Sequence, residues 1–162
     1  MLIGVLSDSH GKALRVRSAI ELFDRLRVDT IIHCGDIGGI AVFDEVAGRS
    51  FHFVWGNTDD PDAATRAYVA TLGFTEPAEL PMLLELAGKK IAVFHGHETG
   101  FGKALRSHEY DYILHGHTHM ARDERVGHAR IINPGALHRA RLHTVATLDP
   151  AADLVEFHEL RP

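Results

Sequence analysis

The chain of 162 residues has one cysteine, Cys34, so no internal disulfide can form and the sequence suits a reducing compartment. No apolar run approaches membrane-spanning length. The opening Met1-Leu2-Ile3-Gly4-Val5-Leu6 carries no basic stretch and meets polar Ser7-Asp8-Ser9-His10 too soon for a secretory leader, so a cytoplasmic location is expected. Positive charge is scarce too: 17 Lys and Arg against 22 Asp and Glu leave a net charge of −5. With no basic, aromatic-studded groove in prospect, duplex or polymeric nucleic acid is not an expected partner. There is no internal repeat, low-complexity tract or linker, and residues 1–162 read as one domain long enough to bury a core.

Histidine, by contrast, is abundant, with 13 copies dispersed along the chain. His33, His52, His108, His128, His143 and His158 read as ordinary half-buried positions, because imidazole is at home there. The others gain meaning from their surroundings. In Ile113-Leu114-His115-Gly116-His117-Thr118-His119 an apolar run meets glycine, and two histidines follow one residue apart. At a strand end, side chains at i and i+2 share a side, which would let His117 and His119 converge on one ion. Neutral imidazole is a common ligand for zinc, manganese, iron and nickel.

Four other stretches repeat this design. Leu2 to Leu6 reads as a buried strand and ends in Ser7-Asp8-Ser9-His10-Gly11. From Ala13 to Arg27, Val16, Ala19, Ile20, Phe23 and Leu26 fall on one helical face. Thr30 to Cys34 is a second strand closing on Gly35-Asp36; strand, helix, strand at this length is a βαβ unit with parallel pairing. Functional groups in such sheets gather beyond the carboxyl ends of the strands. A short helix over Ile40–Val46 leads to strand Phe51–Trp55 and the turn Gly56-Asn57-Thr58-Asp59, and Pro61–Leu72 reads as another helix. Leu80–Leu86 and Ile91–Phe94 flank Gly88-Lys89 as a hairpin, which ends in His95-Gly96-His97. Lys103–His108 suggests a short helix, Ile131-Ile132 exits into Asn133-Pro134-Gly135, and Val145–Leu148 and Leu154–Phe157 close the sheet. Cys34 reads as a buried strand residue, lacking an activating base.

Asp8, His10, Asp36, Asn57, His95, His117 and His119 are therefore seven candidate ligands at strand exits. Carboxylate, imidazole and amide together suit two borderline divalent ions better than a structural thiolate zinc site. Two ions about 3.5–4 Å apart form the arrangement used in phosphoryl chemistry.

The order Asp-x-His, Gly-Asp, Gly-Asn-x-Asp, His-Gly-His, Gly-His-x-His resembles the calcineurin-like metallophosphoesterase superfamily. The length and Asn133-Pro134-Gly135 look like its small, stand-alone phosphodiesterase (YfcE-like) branch. The resemblance implies an α/β (α+β) fold, a four-layer αββα sandwich of two mixed β-sheets flanked by helices. It implies that Asp8, His10 and His119 hold a first metal, that Asn57, His95 and His117 hold a second, and that Asp36 bridges them. Hydroxide between the ions would attack phosphorus. Manganese is the expected metal, with iron, nickel and zinc admissible. Asp59 would orient a neighbour or a metal-bound water, and His97 would touch substrate phosphate or orient His95.

One departure stands out. Many members carry histidine after Gly-Asn, where it serves the leaving group; here the residue is Thr58, which can donate a hydrogen bond but is no acid near neutral pH. The leading function is a metal-dependent phosphodiesterase acting on a small, nucleotide-like phosphodiester. A phosphomonoesterase or nucleotidase with the same site, and a non-catalytic scaffold of the same fold, are the alternatives. A homodimer or tetramer is compatible with the branch, without an interface signature in the sequence. A metallo-β-lactamase-type hydrolase is excluded, since His115–His119 does not continue as His-x-His-x-Asp-His.

Overall fold

The computed structural model describes residues 1–160. The first half of the chain builds a parallel core. Strand β1 (Ile3–Leu6), helix α1 (Ala13–Leu26) and strand β2 (Thr30–His33) form the expected βαβ unit, with Ile3 opposite Thr30 and Leu6 opposite His33. Helix α2 (Ile40–Val46) leads to β3 (Phe51–Phe53), parallel to β2, and α3 (Ala63–Thr71) follows. The Asp62 side chain caps α3 by accepting the Thr65 N–H, so the helix starts two residues after Pro61.

The second sheet begins with the hairpin β4 (Met82–Leu86) and β5 (Lys89–Val93). Its turn is Ala87-Gly88, both at positive φ, one residue earlier than Gly88-Lys89. After α4 (Phe101–Ala104) come β6 (Tyr112–Leu114), β7 (Arg122–Val126), β8 (Ala129–Asn133), β9 (Thr144–Asp149) and β10 (Leu154–Glu159). Helix α4 starts and ends earlier than the expected Lys103–His108. β7 has no apolar alternation to signal it: it is a charged edge strand paired antiparallel with β8.

Strand order is β10-β9-β1-β2-β3 in one sheet and β4-β5-β6-β8-β7 in the other, each mixing parallel and antiparallel pairs. The two-residue period of β1 explains the layering. Ile3 and Val5 pack with Ile32, Cys34 and Val54 against Ile91, Val93, Tyr112, Leu114 and Ile132 of the second sheet. Leu6 faces the opposite way, into a layer with Val16, Ile20 and Phe23 of α1 and Val42, Phe43 and Val46 of α2. On the far face of the second sheet, α4 packs Ala104 over Ala92, Phe94, Ile113 and Ile131. Among the described residues, the four helices and two mixed sheets are the expected sandwich, unequally covered. The ring of Phe43 meets Phe53 at 5.1 Å and Phe53 meets Trp55 at 5.0 Å, which anchors the end of β3 just before Asn57.

Candidate metal centre

The loops after β1, β2, β3, β5 and β6 meet where the carboxyl ends of both sheets come together. Backbone bonds tie the first two: Asp8 N–H donates to the Gly35 carbonyl at 3.0 Å and His10 N–H to the Asp36 carbonyl at 2.9 Å. Gly116 N–H likewise reaches the His95 carbonyl at 2.8 Å. His117 N–H crosses between sheets to Asp8 Oδ2 at 3.1 Å.

All seven candidate ligands are brought to this place, in two halves. In the first, donor atoms of Asp8, His10, Asp36 and His119 all lie within 4.8 Å of one another. His119 Nε2 stands 3.1 Å from Asp8 Oδ1, and His10 Nε2 stands 3.5 Å from Asp36 Oδ2. In the second, Asn57 Oδ1 is 3.0 Å from both His95 Nε2 and His117 Nδ1. Asp36 belongs to both, because its other oxygen, Oδ1, is 3.5 Å from His95 Nε2. Asp8, Asp36 and His95 are buried, whereas Asn57 and His117 are exposed, so the second half opens to solvent.

His117 and His119 do not converge on one point. Strand alternation fails for them because both sit at positive φ, 69° and 58°, in a loop rather than a strand. The same holds for Asp8, His10 and Asp36, at 53°, 42° and 54°. Among the described residues, five of the nine non-glycine residues at positive φ are thus candidate ligands, which concentrates backbone strain at the site. Two glycines are needed there for space. A Cβ on Gly56 would overlap the Asp36 carboxylate, and one on Gly116 would overlap Ser7 Oγ and crowd Asp8 Oδ2.

The donor set fits a cation. Among the described residues Asp8 Oδ1 is buried and accepts no well-aligned hydrogen bond, with only His119 Nε2 at 3.1 Å facing it, an arrangement that costs free energy unless a positive charge is shared there. Burial raises the Asp8 carboxyl, against a smaller lowering by Ser7 and the nearby histidines. His95 Nδ1 faces the Cys34 carbonyl at 2.8 Å and so carries a proton, which leaves Nε2, facing the Asn57 and Asp36 oxygens, as the atom that donates to them when protonated or would offer its lone pair to a cation when the ring is neutral. Burial pushes His95 down, but Asp36 and the Cys34 carbonyl outweigh it and hold the imidazole above its ordinary value. The Asp36 carboxyl is held well below the carboxylate range: burial opposes this, and the His95 side chain and the Thr58 N–H, at 2.9 Å from Oδ1, overcome it.

Each loop is fastened by a side chain that sequence reasoning passed over or read otherwise. Asp59 accepts N–H bonds from Ile37 at 3.0 Å, Gly38 at 2.9 Å and Gly56 at 2.9 Å, and so ties the Asp36 loop to the Asn57 loop. Glu98 accepts from His95 and Gly96 N–H, both at 2.7 Å. Asn133 Nδ2 donates to the Gly116 carbonyl at 2.8 Å and to Thr118 Oγ1 at 3.1 Å, which fastens the His117–His119 loop. His33, read as an ordinary position, accepts Gly35 N–H at Nδ1 and must donate from Nε2 to Ser9 Oγ at 2.8 Å. Ser9 Oγ in turn donates to the Ile37 carbonyl at 2.9 Å. Burial pushes His33 down to about 3, so this chain operates with a neutral ring. Cys34 is buried and its thiol is pushed up by burial, in keeping with a core residue.

His97 is exposed, its ring centroid 5.4 Å from that of His95 and 6.2 Å from that of His117. His138, which no motif singled out, places its ring 5.5 Å from His10 at the other end of the centre.

The sequence profile of the calcineurin-like phosphoesterase superfamily domain matches residues 1–153, and the chain belongs to this superfamily. A phosphodiesterase of Methanocaldococcus jannaschii is 30% identical over 138 residues, covering 83% of each chain. The solved structure of an archaeal phosphodiesterase superposes with a TM-score of 0.88 at 28% identity, over 99% of this chain and 100% of that one. The Yfce phosphoesterase of E. coli shares the fold, with a TM-score of 0.68 at 20% identity over 99% of this chain and all of that one.

Proposed function

We propose that the protein is a metal-dependent phosphodiesterase that hydrolyses a small phosphodiester with two divalent ions. Asp8, His10 and His119 would hold the first, Asn57, His95 and His117 the second, and Asp36 would serve both. The observation that carries this reading is the Asp36 carboxylate itself, which offers Oδ2 to the His10 half and Oδ1 to the His95 half. A scaffold has no use for that division, nor for a buried Asp8 oxygen that accepts no well-aligned hydrogen bond and faces only His119. When bound, such ions neutralise charge on phosphate oxygens and make water a usable nucleophile near neutral pH. Manganese is the first metal to try.

The chain's own residues set the geometry. The Cys34 carbonyl fixes the His95 tautomer, so its lone pair faces inward. Asp59 works as a positioning residue, since three backbone N–H groups engage its two oxygens. Thr58 contributes its N–H to Asp36, and no ionisable group takes the place of a leaving-group acid at this position. The test is hydrolysis of bis-p-nitrophenyl phosphate and p-nitrophenyl phosphate by metal-stripped protein, with and without Mn²⁺. Manganese-dependent cleavage that favours the diester is expected. Preference for the monoester would make the protein a phosphatase, and inactivity with every divalent metal would remove the enzymatic reading.

A further inference from the structure

Two grooves border loops that carry the candidate centre. The larger, of about 720 Å³, opens from His97 and runs between Leu80, Pro81, Phe94 and Tyr110, with Lys103 on its rim. The smaller, of about 350 Å³, opens on the opposite loop at Thr58 and is lined by Trp55 and Pro61. A phosphomonoester has one organic arm, whereas a diester has two. A centre whose loops border two grooves, at His97 and at Thr58, therefore suits the diester.

We propose that the larger groove seats the ester group that stays on phosphorus after cleavage, and that this group is a neutral nucleoside. The inference rests on the phosphodiesterase reading and adds the substrate class. His97 links groove and centre, since it stands on the loop that carries His95 and also lines the groove. Half-buried Tyr110 gives the wall an aromatic face over a floor closed by buried Phe94, which suits a planar heterocycle. The charges favour a neutral occupant. Lys103 on the rim is balanced by Glu109, and Glu98, which also lines the groove, already accepts two backbone N–H bonds. A second phosphate would find no net positive field there. Contacts to a group retained through the reaction are made in ground and transition state alike, so they act on KM more than on kcat.

Gly100 supplies the test. It lines the larger groove, has an ordinary helical φ of −77°, and an added Cβ there meets no atom within 4 Å. Gly100→Phe should therefore fold and obstruct the groove. With Mn²⁺ present, thymidine 5′-(p-nitrophenyl phosphate) and methyl p-nitrophenyl phosphate share a leaving group and differ in the retained one. In Gly100→Phe the preference for the thymidine ester, as a ratio of kcat/KM values, should fall about tenfold, mostly through KM, with Tyr110→Ala moving the same way. Binding of thymidine 5′-monophosphate to the wild type and to Gly100→Phe, followed by calorimetry, gives a readout without turnover. It should weaken about tenfold in the variant. An unchanged ratio in both variants overturns the proposal. So does an equal loss on both esters, which would put the p-nitrophenyl leaving group in the groove. If the wild type cleaves neither ester but Gly100→Phe still weakens thymidine 5′-monophosphate binding, the groove assignment stands and the phosphodiesterase reading falls.

Discussion

At the scale of single residues, Asp36 and Gly116 separate two kinds of requirement. Asp36 gives one oxygen to each half of the centre, so Asp36→Asn should lower occupancy of both ions rather than one. Partners one step removed from a metal are typically worth about 10–100-fold in its affinity, and losing a shared ligand should exceed that range. Elemental analysis of protein dialysed against Mn²⁺ reads the outcome; loss of one ion only would show that Asp36 serves a single site. Gly116 contributes only space. Gly116→Ala pushes a methyl group into Ser7 Oγ and Asp8 Oδ2, so it should reduce metal uptake without removing a ligand. A Gly116→Ala protein with wild-type metal content would contradict that packing. The shared role of Asp36 followed from the motif resemblance, whereas the packing at Gly116 was not legible in it. Histidines, aspartates and glycines stand out in a sequence, but the overlap that forbids a Cβ between residues more than a hundred apart does not.

At the scale of elements, α1, α2 and the strands other than β7 were readable because each carries its apolar pattern plainly. Val16, Ala19, Ile20 and Phe23 repeat at helical spacing and are the residues buried in α1. β7 was not readable, because Arg122-Asp123-Glu124-Arg125 answers to edge pairing and not to burial. The ligand loops were readable in their chemistry and misread in their direction. His117 and His119 look like strand neighbours in the sequence, yet positive φ at both sends them to different halves. The fasteners were the least visible part, since each of them binds backbone groups that every residue possesses. Asp59 is the test at this scale. Asp59→Ala removes the acceptor of three N–H bonds from two loops and should destabilise the protein by about 2–3 kcal/mol, in the range of a hydrogen bond to a charged group. Asp59→Asn, which keeps one oxygen, should lose less. Urea denaturation ranks the two, and equal losses would mean that the oxygens do not hold the loops.

At the scale of the whole molecule, two buried histidines tie the fold to pH. Burial pushes His33 down to about 3 and His115 down to about 4, both below an unfolded value near 6.5. Above pH 6.5 both states hold these rings neutral and the folded protein has its full stability. As pH falls below that value the unfolded chain takes up protons that the folded chain refuses, and stability is lost. Between pH 7.5 and 5 this amounts to about 2 kcal/mol for each ring, measured as the urea unfolding free energy of metal-stripped protein. In His33→Gln that pH-dependent loss should be about half as large, although the variant starts from lower stability; an unaltered slope would place the titration elsewhere. The positive φ at Asp8, His10, Asp36, His117 and His119 reaches further. Glycine adopts such angles without a Cβ penalty, so at each of these positions it would relax the backbone while deleting the donor. Selection for heat resistance alone would drift toward glycine at His10, His117 and His119, though not at Asp8 and Asp36, whose carboxylates accept the His117 and Thr58 N–H groups, and selection for turnover would reject it at all five. A library screened both ways should show the two demands pulling apart at these loops.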